Sequence, residues 1–156
     1  MRLLKLFIMS VIVFSSLVGC KGSEGTSGES TVKTEQQIYN ENLEKWKSHS
    51  LIDYTITTSS SCFCLPEAED GIVINVRANT VEDAYYIPSI IYLDEDSLNG
   101  LKTIDEYFEI IQLELDEQNL DYVIYNEEYG FPETISYGEQ YAAVDGQVIL
   151  YISSFE

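Results

Sequence analysis

Apolar side chains recur at helical spacing in two stretches of the chain, from Thr34 to about Ser48 and from Thr103 to about Gln118. Each stretch begins with Thr followed three residues later by Gln or Glu, a pattern in which two side chains cap the helix start reciprocally. The stretches therefore predict two amphipathic helices, each with one face in the core. Those faces are formed by Tyr39, Leu43 and Trp46 in the first helix and by Ile104, Tyr107, Phe108, Ile111 and Leu115 in the second.

Alternation with a period of two, which is typical of strands, occupies much of the remaining chain. Because most connections are too short for parallel crossovers, the strands are expected to run antiparallel. The sequence thus predicts an α+β domain with two helices packed on one face of an antiparallel sheet, in the order helix–strands–helix–strands. The predicted strands are 54–58, 72–77, 81–86, 90–92, 122–125, 133–137 and 147–153, and the acidic segment 94–100 is predicted to be a solvated loop.

The start of the chain has the features of a secretory signal. Arg2 and Lys5 are followed by an apolar run of 13 residues, Leu6–Val18, which is shorter than the about 20 residues of a membrane-spanning helix. The run leads into Leu17-Val18-Gly19-Cys20, which resembles a bacterial lipobox. The resemblance implies cleavage before Cys20 and attachment of acyl chains to that residue.

These features predict three segments. Residues 1–19 form a signal peptide, residues 20–33 form a lipidated cysteine with a tether rich in Gly, Ser and Thr, and residues 34–156 form one domain. Two or more acyl chains hold a protein firmly on a membrane. We therefore expect a location in the bacterial cell envelope, lipid-anchored on an extracytoplasmic membrane face, in the periplasm or at the cell surface.

The chain is strongly acidic, with 27 Asp and Glu, 8 Lys and Arg, and a formal charge of −19. Loss of residues 1–19 removes two basic residues and no acidic residue, so the mature charge becomes −21. This charge argues against nucleic acid as a partner. It suits a cationic protein, a cationic peptide or a divalent ion, or simply a solvated surface that keeps the domain soluble. The 12 Tyr combine apolar rings with polar hydroxyls, so they suit either a sheet with one solvent-exposed face or a binding surface.

Cys62-Phe63-Cys64 is the clearest candidate for chemistry. With Cys20 lipidated, these are the remaining thiols of an exported chain, where thiols tend to oxidise. In an extended strand their Cα atoms would be about 6.6 Å apart, close to the upper limit of about 6.8 Å for a disulfide. A structural disulfide, a redox-active pair and a soft-metal site all remain open.

Two further segments offer weaker candidates. Asp94 and Asp96 begin a sequence that resembles a calcium loop but lacks the required spacing. Tyr129 and Phe131, with Glu127 and Glu128, form either an ordered connection or a recognition edge. The single histidine lies at a helix end among polar residues, and no catalytic triad is suggested. We therefore expect no enzyme activity and no cofactor.

Five motifs are spread along the predicted domain: Tyr54-Thr55-Ile56, Cys62-Phe63-Cys64-Leu65-Pro66, Ile72-Val73-Ile74-Asn75-Val76, Thr103-Ile104-Asp105-Glu106 and Tyr129-Gly130-Phe131-Pro132. Together they resemble an uncharacterised family of small bacterial exported lipoproteins with a domain of unknown function. The resemblance implies the fold and the location and supplies no catalytic residues. The sequence thus predicts a binding or envelope-interaction module, and the alternative is a redox-responsive protein that uses Cys62 and Cys64.

Overall fold

Seven antiparallel strands form one sheet in the computed structural model, which describes residues 32–61, 71–138 and 147–156. The order across the sheet is β4-β3-β2-β1-β7-β6-β5. Each predicted strand is present, with ends that differ from the prediction by at most three residues. The strands are β1 Tyr54–Ser61, β2 Ile72–Arg77, β3 Thr80–Tyr86, β4 Ile91–Tyr92, β5 Leu120–Tyr125, β6 Pro132–Gly138 and β7 Gln147–Phe155.

Three helices occur in the described residues: α1 Glu35–His49, α2 Glu95–Leu98 and α3 Ile104–Glu117. Both predicted capping boxes are present, at the starts of α1 and α3. The short helix α2 lies where the sequence predicts a solvated loop. That prediction was wrong because Asp94 caps a single helical turn.

The sheet consists of two meanders that meet at its centre. Strands β1 to β4 follow one another outward on one side, and β5 to β7 follow one another inward on the other. The meanders join where β7 pairs with β1, and Thr55 and Glu156 exchange backbone hydrogen bonds of 2.9 and 3.0 Å. The fold is therefore of the mixed α+β class and is dominated by its antiparallel sheet.

The core lies on the face of the sheet that carries Tyr54 and Ile56. Trp46 of α1 contacts the Tyr54 ring at 5.5 Å between ring centroids. The backbone N–H of Ile104, at the start of α3, donates to the Tyr54 hydroxyl at 2.9 Å. Both long helices thus contact one face of the sheet. The buried apolar cluster contains Tyr39, Trp46, Tyr54, Ile56, Ile74, Val76, Ala84, Ile104, Tyr107, Phe108, Ile111, Phe131, Ile135 and Ile152.

Asp105 ties three elements together at one end of this core. Its carboxylate accepts hydrogen bonds from the Trp46 indole N–H at 2.8 Å and from the Asn79 amide at 2.6 Å. Asn79 belongs to the turn between β2 and β3, where both Ala78 and Asn79 have positive φ, as a two-residue hairpin turn requires. Within the described ranges, no helix has the length and apolar character needed to span a membrane.

Candidate interaction surface

The predicted recognition edge forms a hydrogen-bonded turn between β5 and β6. The Asn126 side-chain oxygen accepts the backbone N–H groups of Glu128 and Tyr129, at 3.0 and 2.8 Å. The Asn126 amide donates to Glu133 at 2.8 Å. Glu127 and Glu128 are exposed, whereas Tyr129 is half-buried. The polar groups of this segment therefore stabilise a local connection.

Gly130 and Phe131 attach that turn to α1 and the core. Gly130 has a φ of 81°, and a Cβ at this position would lie 2.6 Å from the Asn42 carbonyl oxygen. Phe131 is only 3% exposed, and its ring contacts those of Trp46 and Phe155 at 6.4 and 4.9 Å between centroids. Phe131 is a core residue, so its assignment to a recognition edge is corrected: a partner cannot reach its ring.

The two weak metal candidates lie at the start of α2. The Asp94 carboxylate accepts the backbone N–H of Ser97 at 2.9 Å. Hydrogen bonds from the Ser97 side chain and backbone lower the pKa of Asp94 below its ordinary value. Asp96 is exposed on the same turn. Among the described residues, no group of three or more His, Cys, Asp or Glu side chains is placed to hold a metal ion.

The predictions about cysteines concern segments outside the described residues. Cys20 lies in 1–31, and Cys62 and Cys64 lie in 62–70. Lipidation of Cys20 therefore stays a prediction, as do the signal peptide and the tether. The disulfide, redox and metal alternatives for the Cys62 and Cys64 pair also stay open.

Three tyrosines have structural roles in the core. The Tyr39 hydroxyl donates to the Phe108 carbonyl at 3.2 Å, and the Tyr54 hydroxyl accepts the first N–H of α3. Tyr107 is 6% exposed and hydrogen-bonds to the Thr58 side chain. Burial raises the pKa of both Tyr54 and Tyr107 to about 12. A neutral hydroxyl is favoured at these sites because desolvation penalises the phenolate.

The opposite face of the sheet carries an exposed aromatic and aliphatic patch. Because Ile135 of β6 points into the core, its neighbours Thr134 and Ser136 point away from it. Residues directly opposite one another on adjacent strands share a face, so the partners of Thr134 and Ser136 also lie on the outer face. We name these partners the edge patch: Tyr122 and Ile124 of β5, and Ile149 and Tyr151 of β7.

Three side chains of the edge patch present large fractions of their surface to solvent. Tyr122 is 42% exposed, Ile124 is 52% exposed and Tyr151 is 38% exposed. Beside them, Asp121 accepts hydrogen bonds from Ser136 and Gln147, each at 3.2 Å. An apolar surface therefore lies next to a fixed carboxylate at one edge of the sheet.

A cleft of about 150 Å³ runs along the same edge, between β5 and the helices. Among the described residues, its lining combines six apolar or aromatic residues with two acidic residues, Glu35 and Asp121, and includes no Lys or Arg. Ile38, on its α1 wall, is 39% exposed. The lining residues are Glu35, Ile38, Leu115, Leu120, Asp121, Tyr122, Val123 and Tyr125.

Sequence reasoning did not single out the edge patch. Its signal is the segment Leu120-Asp121-Tyr122-Val123-Ile124-Tyr125, in which large apolar residues point to both faces of the strand. Such a pattern is typical of a strand covered on both sides. In the structure the outer set is exposed instead, with Tyr122 at 42% and Ile124 at 52%.

The fold and this surface together define an α+β protein with one antiparallel sheet and an exposed patch at the sheet edge. Residues 38–156 match DUF6174, a family of unknown function, and the chain belongs to that family. The match extends over all seven described strands and both later helices. No curated protein and no solved structure matches the chain.

Proposed function

We propose that this protein is a membrane-anchored lipoprotein of the bacterial cell envelope whose domain is a non-catalytic binding module for a cationic protein or peptide. The observation that carries the proposal is the edge patch on a chain of formal charge −19. Exposed apolar side chains grouped on one face are a feature of interaction sites, and here those of β5 and β7 flank the polar Thr134 and Ser136 of β6. A surrounding acidic surface raises the rate of encounter with a basic partner.

The described polar groups support binding in preference to catalysis. Every buried side-chain nitrogen or oxygen within 32–61, 71–138 and 147–156 has a hydrogen-bond partner. The partners are structural: Tyr54 holds the start of α3, and Asp105 joins α1 to the β2–β3 turn. His49, the chain's one histidine, contacts the Tyr129 ring at 4.9 Å. These groups have roles in stability that account for their positions.

A protein or peptide suits this surface better than a divalent ion. Ca²⁺ is held by six to eight oxygen ligands, and the Asp94 carboxylate is engaged by the N–H of Ser97. The edge patch instead offers two tyrosine rings, which combine a large apolar contact area with a polar hydroxyl. Such side chains are enriched at protein interfaces.

Site-specific photo-cross-linking in living cells tests the binding role. A photoreactive phenylalanine derivative replaces Tyr122 in one variant and Tyr92 in a matched control, because both tyrosines are exposed edge-strand residues, at 42% and 62%. We expect a specific adduct with a basic protein from position 122 only, with a yield that falls as salt increases, since salt screens exposed charges. Equal labelling from both positions, or a salt-independent yield, would contradict the proposal.

Metabolic labelling with a radioactive fatty acid tests the anchor separately. We expect incorporation into the wild-type chain and loss of both the label and membrane association in Cys20→Ala. A labelled Cys20→Ala variant would show that another residue carries the lipid. Membrane association that survives without any label would refute the lipid anchor and leave the binding role to the cross-linking result.

A further inference from the structure

The two edges of the sheet differ in how well they resist pairing with another strand. β4 has two residues and closely follows Pro88. Short strands and proline are features that protect an edge. β5 has six residues, contains no Pro and no Lys, and pairs in regular register over Tyr122–Ile124 between two register shifts. Within the described sheet, β5 is therefore the longer edge, and its regular stretch Tyr122–Ile124 is the part suited to receive a further strand.

We infer that β5 accepts an extended basic peptide segment of a partner protein as an eighth, edge-added strand. Alternate backbone N–H and C=O groups of an edge strand point away from its sheet and are free to bind another backbone. The apolar side chains on both sides of β5 would flank those of the added strand: Tyr122 and Ile124 on the outer face, and the cleft with Ile38 on the other. This inference rests on the proposed function and specifies its partner and its mode of binding.

Charge at the ends of β5 determines the chemistry of the occupant. Glu117 and Asp121 lie at its start, Glu127 and Glu128 follow its end, and all four are exposed. The middle of the strand is apolar. The complementary peptide therefore has alternating apolar residues in its centre and Lys or Arg at both ends. Six paired residues would span about 20 Å, which sets the minimum length of the segment.

The same charges disfavour a second copy of this chain as the occupant. Antiparallel pairing of two β5 strands would place the Glu117 and Asp121 end of one strand near the Glu127 and Glu128 end of the other. Like charges at close range oppose association, and each chain also carries a net charge of −19. A basic partner replaces that repulsion with attraction.

The decisive experiment uses the full-length protein in a non-ionic detergent and the fluorescent peptide Lys-Lys-Val-Thr-Val-Thr-Val-Lys-Lys. Two N-methylated versions carry methyl groups on alternate sets of central amides. In an added strand, one set of amides points toward β5 and the other points to solvent. We expect saturable binding of the parent peptide, loss of binding for one methylated version and retention for the other. Equal binding by both versions would overturn strand addition.

Two protein variants locate the binding edge. Ile124→Lys places a protective positive charge on β5, and Ile91→Lys makes the same change on β4, where Ile91 is 63% exposed. Ile124→Lys removes an apolar contact and adds a positive charge that repels the basic peptide. We therefore expect its affinity for the peptide to be about tenfold weaker or more. Ile91→Lys should bind as the wild type does. Fluorescence of Trp46, the chain's one Trp, checks that each variant is folded.

The remaining outcomes separate the inference from the proposed function. Equal loss of affinity in both variants, or no binding by the parent peptide at low salt, would overturn strand addition at β5. Cross-linking from position 122 to a basic protein would still support the proposed function in that case. Dimerisation of the wild type that Ile124→Lys abolishes would show that a second copy is the occupant and would likewise overturn a basic peptide.

Discussion

Replacement of Gly130 by Ala is predicted to destabilise the domain strongly, because this glycine lies against the backbone of α1. At its φ of 81°, an added Cβ would be 2.6 Å from the Asn42 carbonyl oxygen and 2.9 Å from the Lys45 Cβ. Left-handed backbone costs a residue with a Cβ about 1–2 kcal/mol. Overpacking adds about 1–3 kcal/mol. The expected loss is therefore about 2–5 kcal/mol, a large fraction of the roughly 5–15 kcal/mol that holds a typical domain folded.

Urea unfolding followed by Trp46 fluorescence measures this loss directly, since Trp46 is 3% exposed and contacts the Phe131 ring. Gly100→Ala is the matched control. Its Cβ would meet only the Ser97 carbonyl oxygen, at an ordinary 3.5 Å, and Gly100 has no positive φ in the left-handed region. We expect little change in the control. Similar unfolding free energies for both variants would refute the argument that the turn docks through the glycine backbone.

The remaining predictions concern buried hydroxyls, alkaline pH, thiols and calcium. Tyr54→Phe leaves the buried Ile104 N–H without its acceptor and should cost about 1–3 kcal/mol in urea unfolding; an unchanged midpoint would contradict this. Stability should be insensitive to tyrosine ionisation below pH 10.0 and should fall as pH rises toward about 12, because unfolded tyrosines ionise first while Tyr54 and Tyr107 stay neutral in the fold. The slope should approach about 1.4 kcal/mol per pH unit for each of these tyrosines, and a flat profile would refute the pKa shifts. If Cys62 and Cys64 form a redox pair, mass spectrometry with and without mild reductant should show a readily reversible two-hydrogen difference; thiols that stay free and unreactive would remove the redox alternative. Millimolar calcium should leave the melting temperature unchanged, and a clear increase would restore a metal site.

The turn motif shows why a distinctive sequence feature need not be a binding site. Tyr129-Gly130-Phe131-Pro132 is conspicuous as a sequence because it combines aromatic residues with Gly and Pro. In the structure, Gly130 permits close approach to α1, and Phe131 fills the core beside Trp46. Packing against α1 and in the core therefore accounts for both the glycine at 130 and the aromatic residue at 131. A sequence alone does not distinguish an aromatic ring that faces a partner from one that faces another helix.

The edge patch illustrates the opposite case, in which ordinary residues acquire importance from their position. Tyr122 and Ile124 would be buried if a further layer covered the outer face. They are 42% and 52% exposed, and Tyr151 of the interior strand β7 is 38% exposed on the same face. Their side chains were predictable as one face of a strand, whereas their exposure was not.

Local signals in the sequence determined the two long helices and the described strands of this protein. The capping boxes at Thr34 and Thr103 and the alternation in each strand act over a few residues, so they can be identified without knowledge of distant contacts. The tertiary structure decided which strands became neighbours. Pairing of β1 with β7 joins residues about 100 positions apart, and the entropy of closing such a loop depends only weakly on its length. The resulting strand order placed β5 at one end of the sheet, a position that no local signal in the sequence shows.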